Sequence, residues 1–233
     1  MKDEVDIQRD YYKTTASNYD DMHGSDAEHE FALAFMLSMI DLFKIGSILD
    51  IGSGTGRVLV QAKSVRPNLK VLGIEPSVEL RQIGHSKGLS AHELVDGDAQ
   101  QLNFADGAFD LVCEFAALHH IPNPSKAVSE MLRIAKRAVF ISDSNNFGQG
   151  SVAKRLLKQT LNSLGLWKVA NFVKTRGKGY TISEGDGLAY SYSVFSNYSE
   201  ISRRCKSVHV VNTVPAGKNL YRSAAHIALL GVK

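Results

Sequence analysis

Ile48-Leu-Asp-Ile-Gly-Ser-Gly-Thr-Gly56 is the stretch on which the architecture of this chain turns. A short apolar run, Ser47 to Ile51, stops at glycines on alternate positions, and Arg57 to Ser64 continues with helical character. A strand, a glycine turn and a helix in that order let a ligand approach bare backbone. Glycine has no Cβ to stand in the way, and the next helix offers free N–H groups. The spacing is GxGxG, and Arg57 and Val58 stand where the third glycine of the dinucleotide fingerprint GxGxxG would fall. No Gly-Lys-Ser/Thr follows, so a Walker phosphate loop is absent.

Outward from this unit the same alternation repeats. Lys70 to Ile74 is a second strand ending at Glu75-Pro76, and Ser77 to Lys87 is a helix with Ser77 as its cap and Gly88 as its stop. Ala91 to Val95 is a third strand before Asp96-Gly97-Asp98, and Phe109 to Cys113 a fourth before Glu114. Ser125 to Ala135 is a helix, and Ala138 to Ser142 is a fifth strand ending at Asp143. Strands alternating with helices imply a parallel sheet covered on both faces. Upstream, apolar side chains at helical spacing predict a helix over 29–44, preceded by one or two short helices or an ordered arm. Downstream, Ser151 to Leu166 reads as a helix, and the glycine-rich, polar Gly177 to Gly187 breaks the rhythm. Val208 to Thr213 and Ala224 to Leu230 are two further strands, close enough for an antiparallel hairpin. The expected organisation is one domain over 1–233. It has a helical arm at 1–44, a ligand-binding core at 45–144, a lid at 145–200 and a closing hairpin at 201–233.

The totals set bounds. A chain of 233 residues, 44% hydrophobic, is long enough for one large domain with a sizeable core. Its 27 basic and 24 acidic residues give a net charge of only +3, which does not argue for nucleic acid. The densest basic segment, Lys168 to Lys178, reads as a solvated face. Cys113 and Cys205 form no CxxC or Cys/His cluster, so structural zinc has no support and a reducing cytoplasm fits. The acidic, polar start of the chain is unlike a signal peptide, and Phe31 to Ile40 is too short to span a bilayer. The expected setting is cytoplasmic, with a small-molecule partner, no nucleic acid and no membrane, as a monomer or homodimer.

Two acids follow strand ends at telling places. Glu75 can accept hydrogen bonds from both hydroxyls of a ribose, and Asp98 or the Ala99 amide can read an adenine edge. Asp98 is equally suited to a turn or a helix cap. With these residues in view, the chain resembles the class I S-adenosylmethionine-dependent methyltransferases. The resemblance rests on Ile48 to Val58, Val71 to Glu75, Val95 to Ala99 and Phe109 to Ile121. The arm Tyr11-Tyr-Lys-Thr-Thr-Ala-Ser-Asn-Tyr-Asp20 is also similar to the one before this domain in many small-molecule members.

The resemblance implies a doubly wound, Rossmann-like α/β fold. Its seven-stranded sheet would have an antiparallel last strand, with a helical arm before it and a lid inserted after the fifth strand. The implied cofactor is S-adenosyl-L-methionine. Gly52, Gly54 and Gly56 would pass under it, Glu75 and Pro76 would face the ribose, and Asp98 and Ala99 the adenine. Tyr11, Tyr19, Asp50, Glu114 and Phe115 would complete the cofactor site, with Glu114 near the methionine end unless it bonds backbone in the first turn.

Methyl transfer from a sulfonium requires alignment for in-line displacement, and a hydroxyl acceptor also requires a base. His119, His120 and Asp143 are the candidates for catalysis, with His119 preferred; the histidines can equally pack or cap, and Asp143 can equally cap a loop. His119, Asp143, Tyr180, Glu184 and Tyr190 are the candidates for substrate contact, the last three from a lid that is alternatively an ordinary surface loop or dimer contact. A magnesium site at Glu114, Asp143 and Asn145, as in catechol-type members, is set aside because the fifth-strand pair is interrupted by Ser144; no metal is expected. The absence of an Asn/Asp-Pro-Pro-aromatic motif speaks against base amines of nucleic acid. The expected reaction is O-methylation of a small molecule or glycan precursor. Alternatives are N-methylation of a small amine and a non-catalytic binding module. The acceptor, the regiochemistry and the oligomeric state are not legible in the sequence.

Overall fold

The computed structural model describes residues 4–23 and 26–233. Its centre is a seven-stranded sheet. The strands are β1 (Ser47–Ile51), β2 (Lys70–Ile74), β3 (Leu94–Val95), β4 (Phe109–Phe115), β5 (Ala135–Ser144), β8 (Ser207–Asn212) and β9 (His226–Val232). A separate two-stranded sheet pairs β6 (Tyr180–Ser183) with β7 (Gly187–Tyr190). In space the large sheet runs β3-β2-β1-β4-β5-β9-β8, with β9 antiparallel to both neighbours. The order reverses between β1 and β4, which opens a crevice at the carboxyl ends of those strands.

Why these segments form strands is visible in their alternation. Ile48, Leu111, Cys113, Phe140 and Leu230 face one core, which is closed by α3 (Ala27–Ser38) and α4 (Arg57–Val65). Leu49, Val112, Val139, Ile141 and Leu229 face the other, against α6 (Pro124–Ile134) and α9 (Tyr198–Arg204). Central strands buried on both faces need continuous apolar runs, which is how they read in the sequence. The α6 helix has Asn123 as its cap, accepting from the Lys126 amide at 3.1 Å, and Pro124 in its first turn. It buries Val128, Met131, Leu132 and Ile134, each worth roughly 1.5–3 kcal/mol.

Several boundaries differ from expectation. The third strand shrinks to Leu94–Val95, because Glu93 is held back in a turn by the Ser90 amide and Lys63. The helix expected over 29–44 ends at Ser38, and the chain leaves through turns with Lys44 at φ 53°. The arm is α1 (Glu4–Thr15) and α2 (Tyr19–His23), and α5 (Val78–Ser86) follows β2 with Ser77 as its cap. Between β5 and β6 lie two helices, α7 (Val152–Ser163) and α8 (Trp167–Lys174). Trp167 opens the second of these. Its ring meets Phe147 at 5.8 Å, and its Nε1–H donates to the Ser191 hydroxyl at 3.0 Å. No helix among the described residues is long and apolar enough to cross a membrane.

Candidate active site

Two cavities meet at the carboxyl ends of the strands, sharing Tyr12, Tyr19, Gly52, Phe115, Ala116 and His120 in their walls. The smaller, about 240 Å³, lies over β2 and β3 and is lined by Ile74, Glu75, Pro76, Asp98 and Ala99. The larger, about 620 Å³, opens beneath the β6–β7 hairpin and is lined by Tyr11, Asp50, His119, Tyr180, Asp186 and Tyr190.

The glycine turn shapes the smaller cavity. Gly52, Gly54 and Gly56 all have positive φ, where a side chain is strained. A Cβ on Gly52 would lie 2.4 Å from that of Ala117. The Gly54 amide donates to Glu75 Oε2 at 3.0 Å, and Tyr19 covers its outer face. Of the three glycines only Gly52 stands in a cavity wall: a Cβ on Gly54 would meet the Tyr19 hydroxyl at 3.1 Å, and one on Gly56 would strike Leu89 at 2.1 Å.

Glu75 is buried at the cavity wall, its Oε1 accepting from the Ser77 amide at 2.8 Å. Burial pushes its pKa up to about 7, against the lowering pull of the Ser77 and Gly54 amides. Asp50 is also buried, and burial lifts it to about 6 although Ser53 Oγ donates to it at 2.6 Å. Asp98 accepts from the Gln100 amide at 2.8 Å, a turn contact that still leaves it on the cavity wall. Ala116, a non-glycine residue at φ 56°, lies where the two cavities join. Such strain costs roughly 1–3 kcal/mol and gathers at functional sites.

Three acids stand elsewhere than expected. Glu114 is fully buried and lines neither cavity. Its Oε2 accepts from the amides of Ala117 and Leu118, and its Oε1 from that of Ser142, so it clamps the loop after β4 to β5. Burial, and then the nearby Asp143 charge, drive its pKa well up. Asp143 is likewise out of contact with the cavities, behind His119. The side chain of Glu184 is exposed outside the larger cavity, and what it offers is its backbone carbonyl, which accepts from the Tyr11 hydroxyl at 2.7 Å.

His119 joins these elements. Its Nδ1–H donates to Asp143 Oδ1 at 2.7 Å, and its Nε2 faces Asp186 Oδ2 at 3.5 Å. Burial alone disfavours a proton on this ring, but Asp143, aided by Asp186, raises its pKa well above the usual histidine value. Asp143 in turn is held below the usual carboxylate range despite its burial, because His119 lies beside it. The His120 Nδ1–H donates to the Leu188 carbonyl at 2.6 Å, and its Nε2 faces Asp186 Oδ1 at 3.4 Å. Burial works to raise Asp186, but the two histidines outweigh it and lower the carboxyl.

Asp186 and Tyr12 are the residues that sequence reasoning missed. Tyr12 lies seven positions before Tyr19 on the arm, and their rings meet edge-on at 5.7 Å across both cavities. Asp186 sits in a turn whose pairing into a hairpin only the structure reveals. Tyr190 donates to Glu4 Oε2 at 2.6 Å and packs its ring against Tyr180 at 5.9 Å, which ties the β6–β7 hairpin to the arm. The cavity floor adds His29 and His226, ring centroids 4.9 Å apart; burial lowers His226 to about 3, so this pair is neutral.

In the trio weighed as a metal site, Glu114, Asp143 and Asn145, the side chains are engaged by other partners. Asn145 is buried, its amide donating to the Tyr221 and Ala224 carbonyls and its oxygen accepting from Ser193, while Glu114 turns to backbone. A different trio, His119, His120 and Asp186, offers ligand atoms within 4.8 Å of one another. Their distances also suit the contacts of Asp186 with the two rings just described, and no fourth His, Cys, Asp or Glu joins them among the described residues.

Comparison with known proteins agrees with the fold. Residues 49–141 match the sequence family described as a methyltransferase domain. A demethylmenaquinone methyltransferase of Staphylococcus carnosus is 29% identical over 130 residues, 54% of each chain. One from Staphylococcus aureus is 36% identical over 91 residues, 38% of each chain. The chain thus spans about half the length of the first of these curated relatives and less of the second. Among solved structures, magnesium protoporphyrin IX methyltransferase from Synechocystis superposes with a TM-score of 0.64 at 16% identity, covering 99% of this chain and 100% of that one. A methyltransferase from Thermotoga maritima gives 0.58 at 18% identity, covering 95% and 99%. At such identities these structures speak for the fold alone.

Proposed function

We propose that this chain, a methyltransferase domain over residues 49–141 on the class I S-adenosylmethionine-dependent fold, transfers a methyl group to a hydroxyl of a small molecule held in the larger cavity. The observation that carries the reading is the Asp143–His119 pair, whose histidine stands in the wall of the larger cavity beside the junction residue His120. A histidine whose Nδ1 is fixed by a buried carboxylate presents Nε2 as an oriented base, and a hydroxyl acceptor is the class that needs one.

The smaller cavity fits the cofactor. Glu75 offers free lone pairs to ribose hydroxyls, Ile74 and Pro76 an apolar wall for a planar base, and the Ala99 neighbourhood its polar edge. Ionised Glu75 is the better acceptor, so ligand binding favours loss of its proton. When bound, S-adenosylmethionine supplies a methyl already activated on a sulfonium. The remaining work falls to this chain. Tyr12 and Tyr19 cover the junction and exclude water, while Gly52 lets the reacting groups approach the backbone. Once the ring has lost its own Nε2 proton, as pH rises through its raised pKa, His119 takes the hydroxyl proton on Nε2, and Asp143 positions the ring and steadies the imidazolium that results. Asp186 occupies the face of Nε2 that an acceptor needs, so the acceptor hydroxyl displaces it. In this account Asp143 is a positioning residue, and residues 145–200 act as the substrate lid.

A methyl-transfer assay on a panel of hydroxylated acceptors tests the proposal, comparing the wild type with His119→Ala. Loss of a base costs about 10²–10⁴-fold in turnover. Cofactor affinity should be unchanged, because His119 does not line the smaller cavity. Wild-type turnover in the variant would return His119 to a packing role and favour an amine acceptor, attacked through its neutral form.

A further inference from the structure

The helices α7 and α8 are built inside out. Neither buries a single residue, although both are amphipathic. Toward the protein body α7 turns polar groups: Lys158 donates to the Asn146 carbonyl, Gln159 to those of Phe147 and Arg222, and Asn162 to the Tyr221 hydroxyl. Its apolar residues Val152, Leu156 and Leu157 are 59–62% exposed. On α8, Val169, Phe172 and Val173 lie at i, i+3 and i+4 and are 58–71% exposed. With Leu164 and Leu166 between the helices, this stretch holds eight of the fifteen large exposed apolar side chains among the described residues. Isolated exposed apolar residues need no explanation, but a cluster of this size on one element marks a contact surface.

Charge says what the surface contacts. From Ser144 to Ser183 the chain contains no Asp or Glu and seven basic residues. Lys154, Arg155 and Lys158 lie on α7 and Lys168 and Lys174 on α8, with Arg176 and Lys178 just beyond. None of the seven pairs with an acid among the described residues. Exposed apolar faces on a segment whose own charges are all cationic, with Lys158 alone of them on α7 turned to the body, form the pattern of helices that lie in a membrane interface. A second copy of the chain is a poor occupant, since a symmetric contact would bring two such cationic sets together. A nucleic acid would engage the cations and leave the apolar faces in water.

We infer that α7 and α8 dock this protein on the surface of an anionic phospholipid bilayer. The sequence-based expectation of no membrane partner rested on the lack of a spanning segment, and peripheral docking needs none. The surface also adjoins the larger cavity, for Asn171, Lys174 and Thr175 line it. A lipid-soluble hydroxylated acceptor would then enter from the bilayer side. That consequence rests on the methyl-transfer reading; the docking itself does not.

Vesicle flotation tests the docking without any turnover. The probes are vesicles of phosphatidylcholine alone and of phosphatidylcholine with phosphatidylglycerol. The wild type should float with the anionic vesicles and not with the neutral ones. Each basic residue near the surface adds about fivefold to partitioning, and high salt should abolish it as the screening length falls to about 3 Å at 1 M. The triple variant Leu156→Glu, Val169→Glu and Phe172→Glu changes only exposed positions, and should bind anionic vesicles at least ~10-fold more weakly. Thermal melting and cofactor titration verify that it remains folded. Failure of the wild type to float, equal binding to neutral vesicles, or unchanged binding by the triple variant would overturn the inference. So would a wild-type dimer by sedimentation that the triple variant abolishes, because the face would then belong to a second copy.

Discussion

Replacing Asp186 by Asn removes one of the two carboxylates that face His119 while keeping the size and shape of the side chain. The present distance from Nε2 to Asp186 Oδ2 is 3.5 Å. A unit charge pair at that separation is worth about 5 kcal/mol at an effective dielectric of 20 and about 1 kcal/mol in water. The Asp186 side chain is 47% exposed, so solvent screening places the interaction toward the lower end, about 1–3 kcal/mol. That corresponds to a fall of about 1–2 pH units in the His119 pKa. The direction follows from the sign of the present shift. His119 is raised, so its ion pairs contribute stability that is complete below the unfolded value of about 6.5 and is lost as pH rises through the folded value. The variant loses the Asp186 share and keeps that of Asp143. Imidazole resonances of labelled histidine, followed by NMR across pH, report the titration without any acceptor. His119 should titrate measurably lower in Asp186→Asn, and the alkaline-rising limb of kcat/KM should move to lower pH with it. An unmoved His119 titration would refute the view that Asp186 controls the protonation of this ring.

Two other outcomes follow from the same geometry. Glu75→Ala should weaken S-adenosylmethionine binding by about 10–100-fold in calorimetry, since hydrogen bonds to a charged group are worth roughly 1.5–3 kcal/mol; unchanged affinity would remove the ribose assignment. Treatment with a chelator should leave methyl transfer intact; a loss that a divalent cation restores would mean that His119, His120 and Asp186 hold a metal rather than ion pairs.

The parts of this molecule that the sequence disclosed are those governed by short-range rules. The β1 strand, the glycine turn and Glu75 at the end of β2 follow from apolar runs and from backbone angles that only glycine tolerates. The closing strands β8 and β9 were legible for the same reason, and the antiparallel last strand followed from the family resemblance rather than from any local signal; the insertion of β9 between β5 and β8 was not read. What stayed hidden depends on contacts far apart in sequence. Tyr180–Ser183 and Gly187–Tyr190 are ordinary polar and glycine-bearing segments until they pair, and only their pairing turns Asp186 rather than Glu184 toward His119 and His120. Glu114 at a strand end was a natural cofactor contact, but the nearby amides of Ala117, Leu118 and Ser142 claim its carboxylate first. The amphipathic pattern of α7 was correctly read as a helix; which face it turns inward was not, because periodicity fixes a stripe and not its direction.

The central claim is that the cavity between Glu75, Asp98 and the glycine turn binds S-adenosylmethionine. Calorimetric titration of S-adenosylmethionine, and of its demethylated product, into the purified chain tests it most directly. The account predicts micromolar binding of both ligands with release of a proton near pH 7, as Glu75 gives up the proton that burial had let it keep. Absence of binding by either ligand, from a chain shown to be folded, would contradict it.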